Sequence, residues 1–346
     1  MKFFLFLELE SPLEYTFFNF VNRKLFQQLR IYKTFAQANT KTFFIFKVFN
    51  MFSDTHFHFK MMTEDRGVDG LKVLSTMAKR NCRFGLDIGT SADDLAERQA
   101  CVERTIAGVD DAQLAEKIRN FMYFSAGIWP DVEAIHNCDQ EMKTLRESIE
   151  AAESDSDQNT LHRRVIAIGE CGIDHHWNPS GADGRCESDF DVATYRCERQ
   201  LFEAQLELAR EKNLPVIVHS RDGFEDTMDC IKNVGYDRGI IHCYSYGIDE
   251  ARAFLDRGWY IAFGGAITYN KKAKLEAVKD LLRFVPEDRF LCETDAPYLA
   301  PVPLRGTVNT PVNVEHVYNF ASEVRGSSPE ELSGTVDENI KKLFAL

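Results

Sequence analysis

Eight short apolar runs recur along this chain with longer amphipathic stretches between them, and that alternation limits the fold more than any other property. The runs are FSDTHFHF (52–59), CRFGLDIG (82–89), MYFSAGIW (122–129), VIAIGECGID (165–174), PVIVHS (215–220), GIIHCYS (239–245), WYIAFGG (259–265) and FLCETDAP (290–297). They are nearly continuous apolar segments, the pattern of parallel strands covered on both faces. The intervening stretches include 193–213 and 270–285; in the first, Leu201, Gln205, Leu208 and Ala209 repeat at helical spacing and Pro215 opens the next strand. Eight strand–helix alternations predict an α/β fold, a (β/α)8 TIM barrel forming a single domain over residues 51–346. A doubly wound open sheet obeys the same periodicity and stands as the structural alternative.

Residues 1–50 differ in kind. They hold twelve of the 27 phenylalanines and seven Lys/Arg against three Asp/Glu, a charge of +4 that leaves −17 for the rest of a chain whose total is −13. The opening MKFFLFLELESP imitates a signal peptide, but Glu8 and Glu10 interrupt the apolar run. A helix lying on a membrane surface suits the basic and aromatic content. The plainer reading is a non-native or dispensable extension, with Met51 the working start.

The net charge of −13 works against sequence-independent coating of nucleic acid. It leaves open an enzyme that grips one strand end locally. Nine cysteines without a C-x-x-C pair fit a reducing compartment, so a cytoplasmic protein is expected. No 18-residue apolar run predicts a membrane span. Nothing in the sequence calls for an obligate protein partner.

The chemistry is concentrated at the ends of the apolar runs. Asp54, His56 and His58 end the first, Glu170 the fourth, His219 the fifth, His242 the sixth and Asp295 the eighth. In a barrel these ends converge on the carboxyl-terminal face, where active sites form. A lone histidine in an apolar strand is usually a satisfied core residue. Here four of the nine histidines meet the same criterion, and His56 and His58 stand at i, i+2 on one strand face. Collecting four imidazoles and two carboxylates in one apolar mouth is costly unless cations bind them. The set therefore predicts two divalent metal ions. Imidazole favours zinc or manganese and carboxylate favours magnesium or manganese, so all three metals remain candidates.

These residues lie in segments that resemble the TatD-like metal-dependent deoxyribonucleases, a branch of the amidohydrolase-type barrels. The resemblance rests on DTHFH (54–58), GECGID (169–174), PVIVHSRD (215–222), IIHCYS (240–245), ETDAPY (293–298) and NTPVNV (309–314), in family order over nearly all of residues 51–315. It implies one metal on His56, His58 and Asp295, a second on His219 and His242, and Glu170 between both. It also implies Asp295 as the general base and a supporting role for Glu293, with Asp54 behind the ligands. The activity implied is phosphodiester hydrolysis, as a 3'-5' exonuclease or deoxyribonuclease on single-stranded ends of DNA, with RNA a further substrate. Hydrolysis of another ester or amide, such as an aminoacyl-tRNA ester or a small amide, uses the same two-metal chemistry and is the alternative. A non-catalytic binding module is the third.

The chain departs from the family at two places. Gly127-Ile128-Trp129-Pro130 stands where the family commonly has Gly-x-His-Pro, and His175, His176 and Trp177 follow GECGID where an aromatic is usual. Trp129 is expected either to stack on a base or to pack under a loop, and His176 to meet substrate or solvent. Arg221 and Arg305 are the expected phosphate contacts, because the guanidinium fork matches phosphate oxygens. Lys271, Lys272 and Lys274 suit either a strand backbone or an ordinary solvated helix face. The acidic loop 178–192 is expected to restrict entry, and Pro297 and Tyr298 to shape the loop after Asp295.

Overall fold

The computed structural model describes residues 52–154, 161, 164–176, 185–269 and 272–346. The expectation for residues 1–50 lies outside the described residues, as do Trp177, Lys271 and positions 178–184 of the acidic loop.

All eight apolar runs contain a strand: β1 (Asp54–Phe57), β2 (Gly85–Asp87), β3 (Met122–Ala126), β4 (Val165–Asp174), β5 (Val216–Arg221), β6 (Gly239–Ile241), β7 (Tyr260–Phe263) and β8 (Phe290–Cys292). They pair in parallel and in sequence order. The ring closes where the segment after β8 meets β1. Phe57 bridges to Ala296, His58 N–H donates to the Ala296 carbonyl at 2.7 Å, and Asp295 N–H donates to the His56 carbonyl at 2.9 Å. This is a (β/α)8 barrel, and its closure excludes the open sheet.

The helices are α1 (Gly70–Lys79), α2 (Leu95–Ala107), α3 (Ala112–Phe121), α4 (Val132–His136), α5 (Cys138–Ser154), α6 (Val192–Lys212), α7 (Phe224–Val234), α8 (Ile248–Asp256), α9 (Lys272–Phe284), α10 (Val314–Arg325) and α11 (Pro329–Phe344). Local sequence sets their ends. Asp191 caps α6 by accepting from Thr194 N–H, Asn213 ends that helix at φ 54°, and Ser328 with Glu331 forms a capping box on α11. Among the described residues no helix is long and apolar enough to cross a membrane.

Strand residues such as Leu86, Ile168, Ile217, Val218, Ile261 and Leu291 are fully buried, as the continuous apolar runs require. On α6, Leu201, Gln205, Leu208 and Ala209 all turn inward. Gln205 is polar and fully buried because it binds both backbone groups of Ile128, accepting from its N–H at 2.8 Å and donating to its carbonyl at 3.0 Å. It thereby fixes the turn that carries Trp129.

Two boundaries differ from the sequence reading in ways that matter. Glu170 does not end β4. It lies midway, and the strand runs on to Asp174. Asp295 lies beyond β8, at φ 56°. Around Glu170 the barrel wall is unusually tight: a Cβ on Gly127 would overlap the Gly169 backbone, and one on Gly172 (φ 150°) would overlap the His219 carbonyl. Glycine at these positions lets β3, β4 and β5 close on each other next to the site.

Candidate metal centre and active-site mouth

Glu170 is the hub of the mouth, and its two oxygens face different partners. Oε2 lies 3.4 Å from His56 Nε2 and 3.7 Å from His58 Nε2. Oε1 lies 2.9 Å from His219 Nδ1 and 3.0 Å from His242 Nε2. Asp295 Oδ1 is 3.6 Å from both His56 Nε2 and His58 Nε2. Three overlapping groups therefore have donor atoms spaced to hold an ion: His56–His58–Glu170, His56–His242–Asp295 and Glu170–His219–His242.

Three of the imidazoles have a polar group behind them, within hydrogen-bond reach for His58 and His219 and only a near neighbour for His242. His58 Nδ1 faces the Ile88 carbonyl at 3.2 Å, His219 Nε2 faces Asp174 Oδ2 at 2.9 Å, and His242 Nδ1 faces Glu293 Oε1 at 3.5 Å. Glu293 Oε1 also accepts from Cys243 N–H at 2.6 Å. Glu293 thus lies on the far side of His242 from Glu170. Asp54 has a different job from its neighbours on β1. It is fully buried in the β1–β8 seam, accepting from Thr294 N–H (3.0 Å), Thr294 Oγ1 (2.7 Å) and His56 N–H (3.1 Å).

The electrostatics are those of a site built for positive charge. Burial pushes the Glu170 carboxyl up, but His242, His219 and His56 outweigh it and hold it well below the usual carboxylate range. Burial likewise opposes charge on His242, yet Glu170 and Glu293 raise it well above an ordinary histidine. His58 and His219 are raised against burial, the first by Asp295 and Glu170 and the second by Asp174 and Glu170. His56 is lowered, by burial and then by His242. Asp295 is lowered because His58, His56 and His242 outweigh its burial. Without an ion, protons on imidazole supply the charge that the carboxylates demand.

The mouth opens into a cavity of about 920 Å³. Arg221, Lys274 and Trp129 line it, as does Tyr298. Trp129 meets the His219 ring edge-on, with centroids 5.9 Å apart. Two expected contacts are not brought there. Arg305 lies over the Tyr269 ring, 4.3 Å from its centroid, and is not in the cavity lining. His176 is also absent from that lining; its Nδ1 lies 2.9 Å from Oδ2 of the exposed Asp222. His175 faces Glu198 and Asp226 and packs on Tyr195. Two charged lining residues were not singled out in the sequence, Arg66 and Asp174. Arg66 follows the β1 motif by only eight residues, and Asp174 closes the GECGID motif.

Comparison with known proteins agrees with this geometry. A sequence model of the family described as "TatD related DNase" matches residues 53–345. The "uncharacterized metal-dependent hydrolase YabD" of Bacillus subtilis (strain 168) is 32% identical over 268 residues, covering 74% of this chain and 94% of its own. The "3'-5' ssDNA/RNA exonuclease TatD" of Rahnella sp. (strain Y9602) is 30% identical over 284 residues, 80% of this chain and 93% of its own. Two solved structures share the fold. YjjV, a TatD homologue from Escherichia coli K12, matches with a TM-score of 0.65 at 24% identity, over 85% of this chain and 98% of its own. A TatD-family hydrolase from Entamoeba histolytica matches with a TM-score of 0.64 at 15% identity, over 86% and 99%. This chain therefore belongs to the TatD-related DNase family of metal-dependent hydrolases.

Proposed function

We propose that the chain hydrolyses phosphodiester bonds at single-stranded DNA or RNA ends, in the 3'-5' direction, with two divalent ions. His56, His58 and Asp295 would hold one ion, His219 and His242 the other, and Glu170 would serve both. The observation that carries this reading is the division of Glu170, one oxygen toward His56 and His58 and the other toward His219 and His242. The donor set fits such ions. His56 and His58 bring Nε2 atoms within 3.3 Å of each other against two carboxylates, and a hydrogen bond within the neutral pair uses the one proton between them and leaves none for either carboxylate. Magnesium, manganese and zinc all suit a mixed imidazole–carboxylate set.

Bound ions would act as Lewis acids on the phosphoryl group. The chain's own residues do the rest. Asp295, with Oδ1 3.6 Å from both His56 Nε2 and His58 Nε2, accepts the proton of the attacking water. Glu170 keeps the two halves in register and stays ionised. Arg221 neutralises a neighbouring phosphate, with Lys274 and Arg66 on the same cavity lining. Trp129, held by the Gln205 clamp on Ile128, stacks on a base of the entering strand. A pit in a barrel mouth admits a strand end more readily than the middle of a duplex. The substrate named for the Rahnella relative supports the single-strand and polarity assignments.

The test uses single-stranded oligonucleotides labelled at one end or the other. Immediate release of a 3'-terminal label as mononucleotide, with delayed release of a 5' label, is expected. Intact oligonucleotides alongside hydrolysis of an aminoacyl ester or a small amide would replace this reading with the alternative.

A further inference from the structure

His219 differs from the other three imidazoles in which nitrogen it turns to Glu170. His56, His58 and His242 all present Nε2, whereas His219 presents Nδ1. Its Nε2 points the other way, 2.9 Å from Oδ2 of Asp174. Asp174 is buried and held from several sides. Its Oδ1 accepts from His176 N–H at 2.8 Å, and its own N–H donates to Glu198 Oε1 at 3.1 Å. The Arg185 guanidinium donates to its carbonyl, to Glu198 at 2.9 Å and to the Pro130 carbonyl. Arg185 and Glu198 are both fully buried, so the groups behind Asp174 are shielded from solvent.

An ionised carboxylate can only accept hydrogen bonds. Glu170 Oε1 lies just as near Nδ1, at 2.9 Å, but it also has His242 Nε2 as a donor at 3.0 Å. With the His219 proton on Nε2, toward Asp174, both carboxylates are served and the Nδ1 lone pair faces Glu170 and His242. We propose that Asp174 is a positioning residue that selects the Nε2–H tautomer and the ring orientation of His219, making Nδ1 available as a metal-ligand atom. This rests on the reading that an ion binds between His219, His242 and Glu170. Outer hydrogen-bond partners of ligating histidines commonly act this way. Here the partner comes from the adjacent strand, four residues after the shared carboxylate, which puts both ends of the His219 ring under the control of β4.

Asp174→Asn is an informative substitution because the site already uses both carboxylate oxygens as acceptors. An amide has one oxygen for two donors, His176 N–H and His219 Nε2–H. Giving that oxygen to His176 turns the amide NH₂ toward His219 Nε2 and demands the opposite tautomer.

The experiment reads the tautomer directly in metal-free protein, by long-range proton–nitrogen correlation of isotope-labelled histidines at alkaline pH, with the His219 signals assigned from their loss in His219→Gln. The wild type is expected to show Nε2–H at His219. In Asp174→Asn the Nδ1–H form is expected to appear, with affinity for zinc at one of the two sites reduced roughly 10- to 100-fold in titration calorimetry. A wild-type His219 carrying its proton on Nδ1 would overturn the proposal. So would a folded Asp174→Asn protein with unchanged tautomer, whether its zinc affinity is kept or lost. If that variant does not fold, the wild-type tautomer decides alone. Nε2–H in a protein that binds no metal would support Asp174 as the tautomer selector while refuting the two-ion reading.

Discussion

Asp295→Asn separates chemistry from architecture at this site. Asp295 sits at φ 56°, a backbone region that asparagine tolerates better than most residues. Its side chain is only 13% exposed, and Asn preserves its size, so the barrel and the Asp295 N–H bond to His56 should persist. What is lost is the charge at Oδ1, 3.6 Å from each of two imidazoles, and the capacity to take a proton. Positioned general bases contribute roughly 10²- to 10⁴-fold, a barrier of about 2.7 to 5.4 kcal/mol. The expected variant loses kcat by that factor or more, because the ligand is weakened as well, while KM for an oligonucleotide moves little. The assay is oligonucleotide hydrolysis at saturating metal, with metal content measured on the same preparation. Near wild-type kcat in a metal-loaded Asn variant would refute the assignment of Asp295 as base. Loss of activity traceable wholly to loss of bound metal would assign it as a ligand only.

Other consequences follow from the same geometry. His58, His219 and His242 are raised above the ordinary value of 6.5. Each therefore adds stability to metal-free protein that is present below 6.5 and lost as pH rises through the folded value. Melting temperature in chelator should fall above neutral pH, while zinc affinity should rise as protons stop competing; a flat metal-free profile would contradict this. Trp129→Ala should raise KM for single strands roughly 5- to 150-fold, from about 1–3 kcal/mol of lost stacking, without lowering metal content. Arg221→Ala should weaken oligonucleotide binding about tenfold or more, as expected for a lost charged hydrogen bond. Arg305→Ala, on Tyr269, should bind like wild type, and equal losses in the two variants would contradict the cavity lining described above. Asp54→Ala takes the side-chain acceptor from two buried backbone N–H groups, those of His56 and Thr294, and should cost about 2 kcal/mol or more in urea unfolding.

The fold was legible because parallel strands covered on both faces must be apolar almost throughout, and all eight runs satisfy that. Strand ends were less legible. FSDTHFHF reads as one run, yet pairing covers only Asp54–Phe57, since hydrogen bonding in a ladder depends on a neighbour that the run itself does not reveal. The cluster of histidines and carboxylates was readable from residue type at converging positions. Asp174 was not, although it closes a motif already in view, because its role lies in which imidazole nitrogen it faces. Arg305 and His176 were not to be placed from sequence for the opposite reason. Both follow site residues closely in sequence, but Tyr269 and Asp222 engage them elsewhere. Arg66 carried no pattern at all and enters the mouth only through the path of the loop after β1.

The central claim, two ions clasped through Glu170 and used on a phosphodiester, is tested most directly by one titration. Metal-stripped protein is mixed with labelled single-stranded DNA, and magnesium, manganese or zinc is added stepwise while bound metal and strand shortening are followed together. No shortening is expected without metal, then stepwise loss from the 3' end as occupancy approaches two ions per chain. Full occupancy with the DNA left intact under every metal, or shortening that persists in stripped protein, would contradict it.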